Sequence, residues 1–566
     1  MPRLEGKLTF YMALYPARNL FSQLLANFIH IKTSSMRLIF SLICLVATIG
    51  VFAQQQVRRL PYNINQGGRN NLGPYISFDG NHLLFLTDYT EDRSLTLMYT
   101  QRAAGSWQEP IELPRSINSR LNYAYGVALN ADASRLYFTS ARAGGVGKYD
   151  IYFAEKRGVS GWSEPQNFGF PVNSTEHDGC PSISADGTEI YFMRCGQMSP
   201  NAASACKIFY SKIKYDNTWN EPVELPDFIN TGNSQCPRIM ADGETLLFSS
   251  NQMPGAQGFD LYMTRKTGNS WSQPKPLAFV NTSADDIHVS ATAQGRYLLK
   301  SNRESRNSEL FEYYFSEETR PARILRVEGK ILSPDNKAAD VNVNIFDLKN
   351  NRRISAAKVN EAGTLIVFLK EGVHYELSIE PKNPAHSYHS VRYDLRDLDG
   401  PATEKFEVKI GPVYHGDTLT LNGIGFRAYS HVMEETSDLE LRRLSRLMLE
   451  NPDYSFEVGA YQYNYLEDSV LSVPDLTELI LDTVYFEKEV FVDSLNRAVT
   501  IDSISIHYTY HNDRSSKQAR SVVNALIAYG VPEQQIRYAA YRKEYDEELA
   551  IISPLIRVRV LKKFND

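Results

Sequence analysis

Four cysteines, Cys180, Cys195, Cys206 and Cys236, carry the most reactive side chains of this 566-residue chain beyond its first 53 residues. An even number in an exported protein points to disulfides, with three possible connectivities. Cys195 and Cys206 flank "GQMSPNAASA", a long hairpin loop that a disulfide would close, which leaves Cys180 and Cys236 as the other candidates. Buried free thiols are the alternative. A zinc site is not expected, because neither a Cys-x-x-Cys pair nor a nearby histidine accompanies them. His507 and His511 fall on a strand pattern, where four residues span about 13 Å, too far apart for one ion. No Gly-x-Ser-x-Gly occurs, and no carboxylate pair recurs at glycosidase-like positions. No catalytic residue, metal or cofactor is therefore expected.

The chemistry must sit on exported, acidic modules. From Met36 the chain reads "MRLIFSLICLVATIGVFAQQQ", a secretory pattern with a cut expected between Ala53 and Gln54 and a start codon expected at Met36. The apolar run is too short to span a bilayer. Cys44 follows Ile43 rather than a small residue, which argues against lipidation. Removing residues 1–53 takes away Arg3, Lys7, Arg18, Lys32, Arg37 and Glu5, so the net charge moves from −6 to −10. That balance excludes nucleic acid as a main partner.

All four tryptophans lie in one phrase: "SWQEPIELP", "GWSEPQNFG", "TWNEPVELP" and "SWSQPKPLA", at Trp107, Trp162, Trp219 and Trp271. A period near 50 residues signals a propeller or array. In the same phase an apolar residue precedes Asn65, Asn118, Asn173, Asn230 and Asn281. These asparagines either bond local backbone and cap loops, or form a ring lining a binding funnel. An Asp-Gly turn recurs in "SFDGNHLLF", "SISADGTEIYF" and "IMADGETLLF", each before an aromatic strand. Each repeat offers four short strands, with the tryptophans packing between repeats. The fifth repeat has no Trp strand, and "RRLPYNIN" matches the tail of the missing one, so residues 57–61 are expected to latch the ring. The repeats, over 57–316, resemble the WD40-like (PD40) blades of TolB-type propellers, which implies a five-bladed β-propeller over 54–320.

From Ile324, alternating runs such as "VNVNIFD" and "GVHYELSIE" read as a small antiparallel β-sandwich. Their order resembles the carboxypeptidase regulatory-like domain, which implies a non-catalytic spacer over 321–411.

In residues 412–566, "SDLELRRLSRLMLENP" predicts a helix with a capping box, Ser437 with Glu440. Leu441, Leu444 and Met448 form its apolar stripe. A second helix, "SSKQARSVVNALIAYG", puts Ala519, Val522, Val523, Leu526 and Ile527 on one face and stops at Gly530. "FEVGAYQYNY" reads as a strand entering a turn. These phrases resemble the OmpA-like C-terminal domain, an α/β module. In that family an Asp on such a turn and an Arg on the second helix hold a peptidoglycan stem peptide, carboxylate to ammonium and guanidinium to carboxylate. Here Gly459 matches the turn's Gly, Gln462 stands for the Asp, Ser515 for the helix Ser and Gln518 for the Arg, so both charged contacts are neutral. Arg514, one turn before Gln518, is the candidate replacement. An insertion at 463–511, with a helical pattern and an alternating strand, enters at the binding rim and suits a partner surface.

The combination is similar to modular envelope proteins of Bacteroidota, including the peptidoglycan-linked component of type IX secretion. The resemblance implies a non-enzymatic periplasmic scaffold associated with the outer membrane. Its expected partner is an outer-membrane or secretion-complex protein, with peptidoglycan as the alternative. A carbohydrate- or peptide-processing propeller enzyme is the competing expectation.

Overall fold

The computed structural model describes residues 57–88, 95–119, 126–158, 161–199, 202–302, 307–396, 400–427, 430–462, 478–492, 498–511, 514–542 and 555–562. The expected signal segment, including Met36, Cys44 and Ala53, lies outside the described residues. No helix among them is long and apolar enough to cross a membrane.

Residues 57–315 form five successive antiparallel sheets of four or five strands. The innermost strands are Asn71–Ile76, Val127–Leu129, His177–Ile183, Ser234–Ile239 and Val289–Ala291. The fifth sheet takes its outer strand from the start of the described chain: Val57–Arg59 pairs antiparallel with Glu309–Tyr314, Val57 opposite Tyr313. Arg59 adds a forked ion pair to Glu309, with its Nη2 2.6 Å from Oε1.

The tryptophans explain the period. Trp107 packs with Leu60, Leu299 and Leu310 of the fifth sheet as well as its own, and Trp162 packs on the first-sheet cluster around Leu84 and Tyr99. Trp219 meets Phe168 of the second sheet at 5.5 Å, and Trp271 meets Tyr191 of the third edge-to-face at 6.2 Å. Each outer-edge indole thus covers the preceding sheet, so removing one repeat would strand the next one's aromatic surface. The Asp-Gly turns also recur physically: Gly80, Gly187 and Gly243 have φ of 76°, 73° and 66°. The preceding aspartate accepts the N–H two residues on, as Asp79 does from Asn81 at 3.0 Å.

Residues 324–409 fold as a three-stranded sheet packed on a four-stranded one, around Val327, Ile345, Leu365 and Leu377. The sandwich sits on one mouth of the sheet ring. Phe78, Ala131, Ala185, Ala241 and Ala293, one from each repeat's turn, pack against Ile324, Phe368 and Ala402. Charges rim this seal, with Lys370 Nζ 2.7 Å from Glu244 and Arg265 Nη2 2.7 Å from the carbonyl of Arg320.

In the last unit a four-stranded mixed sheet carries two helices, Asp438–Leu449 and Arg514–Ala528. Leu444, Met448, Ala519, Val522 and Leu526 meet Phe456, Val458 and Val560 in one core. The capping box does not form. Ser437 is the N-cap residue, but its hydroxyl exchanges hydrogen bonds with the backbone of Gly425, and Glu440 turns into the junction with the sandwich. A helix is also absent from the described part of the insertion. Its two described segments, Glu478–Val492 and Ala498–His511, pair antiparallel as a two-stranded ribbon. β-branched and aromatic residues there favour the extended chain.

Candidate functional site

The innermost strands superpose in phase. Gly73-Pro74-Tyr75, Cys180-Pro181-Ser182 and Cys236-Pro237-Arg238 each straddle a register shift, and Gly126-Val127-Ala128 and His288-Val289-Ser290 stand at the corresponding places. Gly73, Gly126, Cys180 and Cys236 all have positive φ, between 47° and 66°. The five leading residues converge on the axis of the ring. A Cβ on Gly126 would lie 2.8 Å from Cys180 Sγ and 3.7 Å from His288 Nδ1, and one on Gly73 would lie 3.8 Å from His288 Cδ2. The donor atoms of Cys180, Cys236 and His288 all fall within 4.8 Å of one another.

The next ring closes the axis. Arg238 is 7% exposed; it donates to the carbonyl of Val289 at 3.2 Å and of Val127 at 3.1 Å, and its guanidinium lies 4.5 Å from the ring centre of Tyr75. One side chain therefore bridges the fourth sheet to the fifth, second and first. Its Nη1 has no hydrogen-bond partner among the described residues. Ser182 and Ser290 accept from the backbone N–H of Ile239 and Ile76 at 3.0 Å and finish this layer. Below it a cavity of about 40 Å³, lined by Tyr75, Arg238 and Ser290, ends at the apolar seal of the sandwich.

Burial pushes both thiols of the cluster up. At Cys180 this is outweighed by hydrogen bonds to Cys236 and His288 and by the charges of His288 and Arg238, so its pKa falls below the usual thiol value. Cys236 is raised by burial and by its hydrogen bond to Cys180.

Cys195 and Cys206 stand opposite each other on neighbouring strands and are joined by a disulfide. Cys180 and Cys236 are free and buried, so their expected role as disulfide partners is corrected: each bulged strand turns its thiol to the axis, beside His288. Sequence reading missed His288 because it sought a histidine near the cysteines along the chain, and this one lies 52 residues past Cys236. The usable signal was the repeat phase, which sets Cys180, Cys236 and His288 at equivalent places.

The five asparagines bond backbone within their sheets. Asn230 accepts from Ile208 N at 2.8 Å and donates to the carbonyls of Leu225 and Ile208 at 2.9 and 3.1 Å. Asn118 and Asn173 make the same kind of bridge to Leu97 and Ile151, Asn281 to Leu261, and Asn65 to Leu310 across the ring closure. Their amides are consumed in holding each loop to the sheet's third strand, which leaves them little to offer a funnel ligand.

The C-terminal positions fall differently from the expected turn. Gly459 and Gln462 lie within the strand Tyr454–Gln462, which pairs parallel with Ile536–Arg542 through Gln462 opposite Arg542. The chain continues as strand because this partner runs alongside to its end. Gly459 makes room for stacked Tyr461 and Tyr541, whose ring centres are 4.5 Å apart; a Cβ there would meet both rings at 2.9 Å. Ser515 and Gln518 are buried on the second helix, and Gln518 donates to the carbonyl of Ser430 at 3.0 Å. Arg514 opens that helix; its side chain and that of Gln462 lie outside the described residues.

No protein-family model matches the chain, and no curated protein matches it. Similar solved structures include TolB from Acinetobacter baumannii, at 13% identity over 60% of this chain and 71% of that one, with a TM-score of 0.25. They also include an endo-arabinase from Bacteroides thetaiotaomicron, at 14% identity over 47% and 99%, TM-score 0.33. An α-L-arabinofuranosidase from Lactobacillus brevis matches at 14% identity over 46% and 95%, TM-score 0.31. Likeness at this level carries no argument about activity.

Proposed function

We infer that the chain is a non-enzymatic periplasmic scaffold of the cell envelope. In this reading a five-bladed TolB-like propeller and a regulatory-like sandwich stand on a divergent OmpA-like domain. An outer-membrane or secretion-complex protein docks on the propeller and on the 463–511 insertion. The observation that carries the reading is the ribbon. Its strands of fifteen and fourteen residues reach about 50 Å, and neither outer edge has a partner strand among the described residues. A lone two-stranded ribbon is marginal in water, and an open edge is a template for a further strand. The two strands are rich in apolar and aromatic residues, among them Leu479, Leu481, Tyr485, Ile504, Ile506, Tyr508 and Tyr510, a composition suited to a protein partner.

Wall binding is the second reading. It is favoured only by Arg514 at the head of the helix, since Gln518 is engaged with Ser430. The test is sedimentation of the full chain with purified sacculi and, separately, with outer-membrane vesicles. The comparison variants replace 478–511 with a short Gly-Ser loop, or carry Arg514→Ala. Ribbon-dependent capture by vesicles without capture by sacculi is the expected result. Pelleting with sacculi that Arg514→Ala abolishes would replace the scaffold reading with a wall anchor.

A further inference from the structure

We propose that Cys180, Cys236 and His288 form a binding site for a thiophilic divalent cation of the Zn²⁺ class on the axis of the sheet ring, with one coordination position left open. Three soft or borderline donors already lie within 4.8 Å of one another. Tetrahedral zinc with sulfur at about 2.3 Å and nitrogen at about 2.0 Å requires donor separations of roughly 3.5–3.8 Å, so closure needs shifts of about an ångström or less at side-chain ends. The ring supplies three ligands from five equivalent positions. The other two are Gly73 and Gly126, and a side chain at Gly126 would collide with Cys180 Sγ. Glycine there keeps the remaining coordination position unblocked, the arrangement of zinc sites that exchange a water or small anion.

A second observation points the same way. Arg238, two residues past Cys236, is more than nine-tenths buried and keeps Nη1 without a partner among the described residues. A buried unpaired guanidinium N–H is costly, and it favours both thiolates and an anion on the open position. Two thiolates and a neutral imidazole balance the charge of a divalent ion, so binding sends any proton still on Cys180, Cys236 or the coordinating nitrogen of His288 to solvent. A hairpin packs over the cluster through Met198 and Ala203 and is tied by the Cys195–Cys206 disulfide. This cover limits access without supplying a further assigned ligand.

The test uses the full chain, reduced and metal-free, titrated with Co²⁺ as an optical stand-in for Zn²⁺. One equivalent should give thiolate-to-cobalt charge-transfer absorption that Zn²⁺ bleaches. Cys180→Ser and His288→Ala should each weaken binding by at least about tenfold, while Cys195→Ser/Cys206→Ser keeps the band. No charge-transfer band in the unmodified chain would overturn the proposal, and that readout stands even if a variant fails to fold. Thiol mapping of protein isolated from the envelope gives a second decision. Two free axial thiols, or two thiols released by a chelator, support the site, and a Cys180–Cys236 disulfide overturns it.

Discussion

At the scale of single residues, the molecule repeats one polar device five times: an asparagine amide that satisfies backbone groups which would otherwise be buried unpaired. Asn230 serves Ile208 N, Ile208 O and Leu225 O together. Asn230→Ala should therefore lower stability by about 2–3 kcal/mol, read as a drop in the urea midpoint at constant slope. Glu440 behaves in the opposite sense from an ordinary ion-paired carboxylate. Burial raises its pKa, and Arg443 and Ser390 offset this only in part. The folded chain thus holds this proton more tightly than the unfolded one. The resulting contribution is complete below the ordinary carboxylate range and is lost as pH rises through the raised value. Glu440→Gln should flatten the rise in urea midpoint on acidification across that window and leave the fold intact. An unchanged pH dependence would show that Glu440 does not titrate there.

Among the elements, the outer edges of the first four sheets were legible because each has a tryptophan with one job, covering the preceding sheet; the spacing of indoles is the spacing of sheets. The capping box was misleading because its sequence pattern says nothing of competitors, and Gly425 takes the Ser437 hydroxyl. The turn at Gly459 failed for a related reason, since a parallel partner strand more than 70 residues away keeps the chain extended. The axial cluster was illegible to local spacing and legible only to repeat phase. The Cys195–Cys206 hairpin invites a further measurement. Replacing both residues by serine should cost about 2–3 kcal/mol through the freed loop while leaving Cys180 and Cys236 unbridged, which a thermal melt with thiol counting would check.

For the whole molecule, the three units are joined by built junctions. Arg443 on the first long helix reaches Glu376 and Glu380 of the sandwich at 2.7 and 3.1 Å, and Arg392 of the sandwich donates to the carbonyls of Gly423 and Thr436 at 2.6 and 2.8 Å. Arg443→Ala leaves Glu376 and Glu440 buried without their shared cation and should cost about 3–5 kcal/mol, releasing the last unit to limited proteolysis before the rest unfolds. At the other junction, Phe368→Ala removes the ring that meets Phe78 edge-on at 5.6 Å and should cost about 3 kcal/mol. Small-angle scattering should then report a longer, looser particle.

The closure of the ring has a mechanical side. Val57 lies opposite Tyr313 in an antiparallel pair, so the chain enters and leaves this sheet at the same end of the two strands. Tension between what precedes Val57 and the sandwich that follows Tyr314 would peel the pair one hydrogen bond at a time instead of shearing all of them together. A tether attached ahead of Val57 would open the ring at low force, with the Arg59–Glu309 fork as its last catch, whereas a load carried through the sandwich and the C-terminal unit would bypass the clasp altogether.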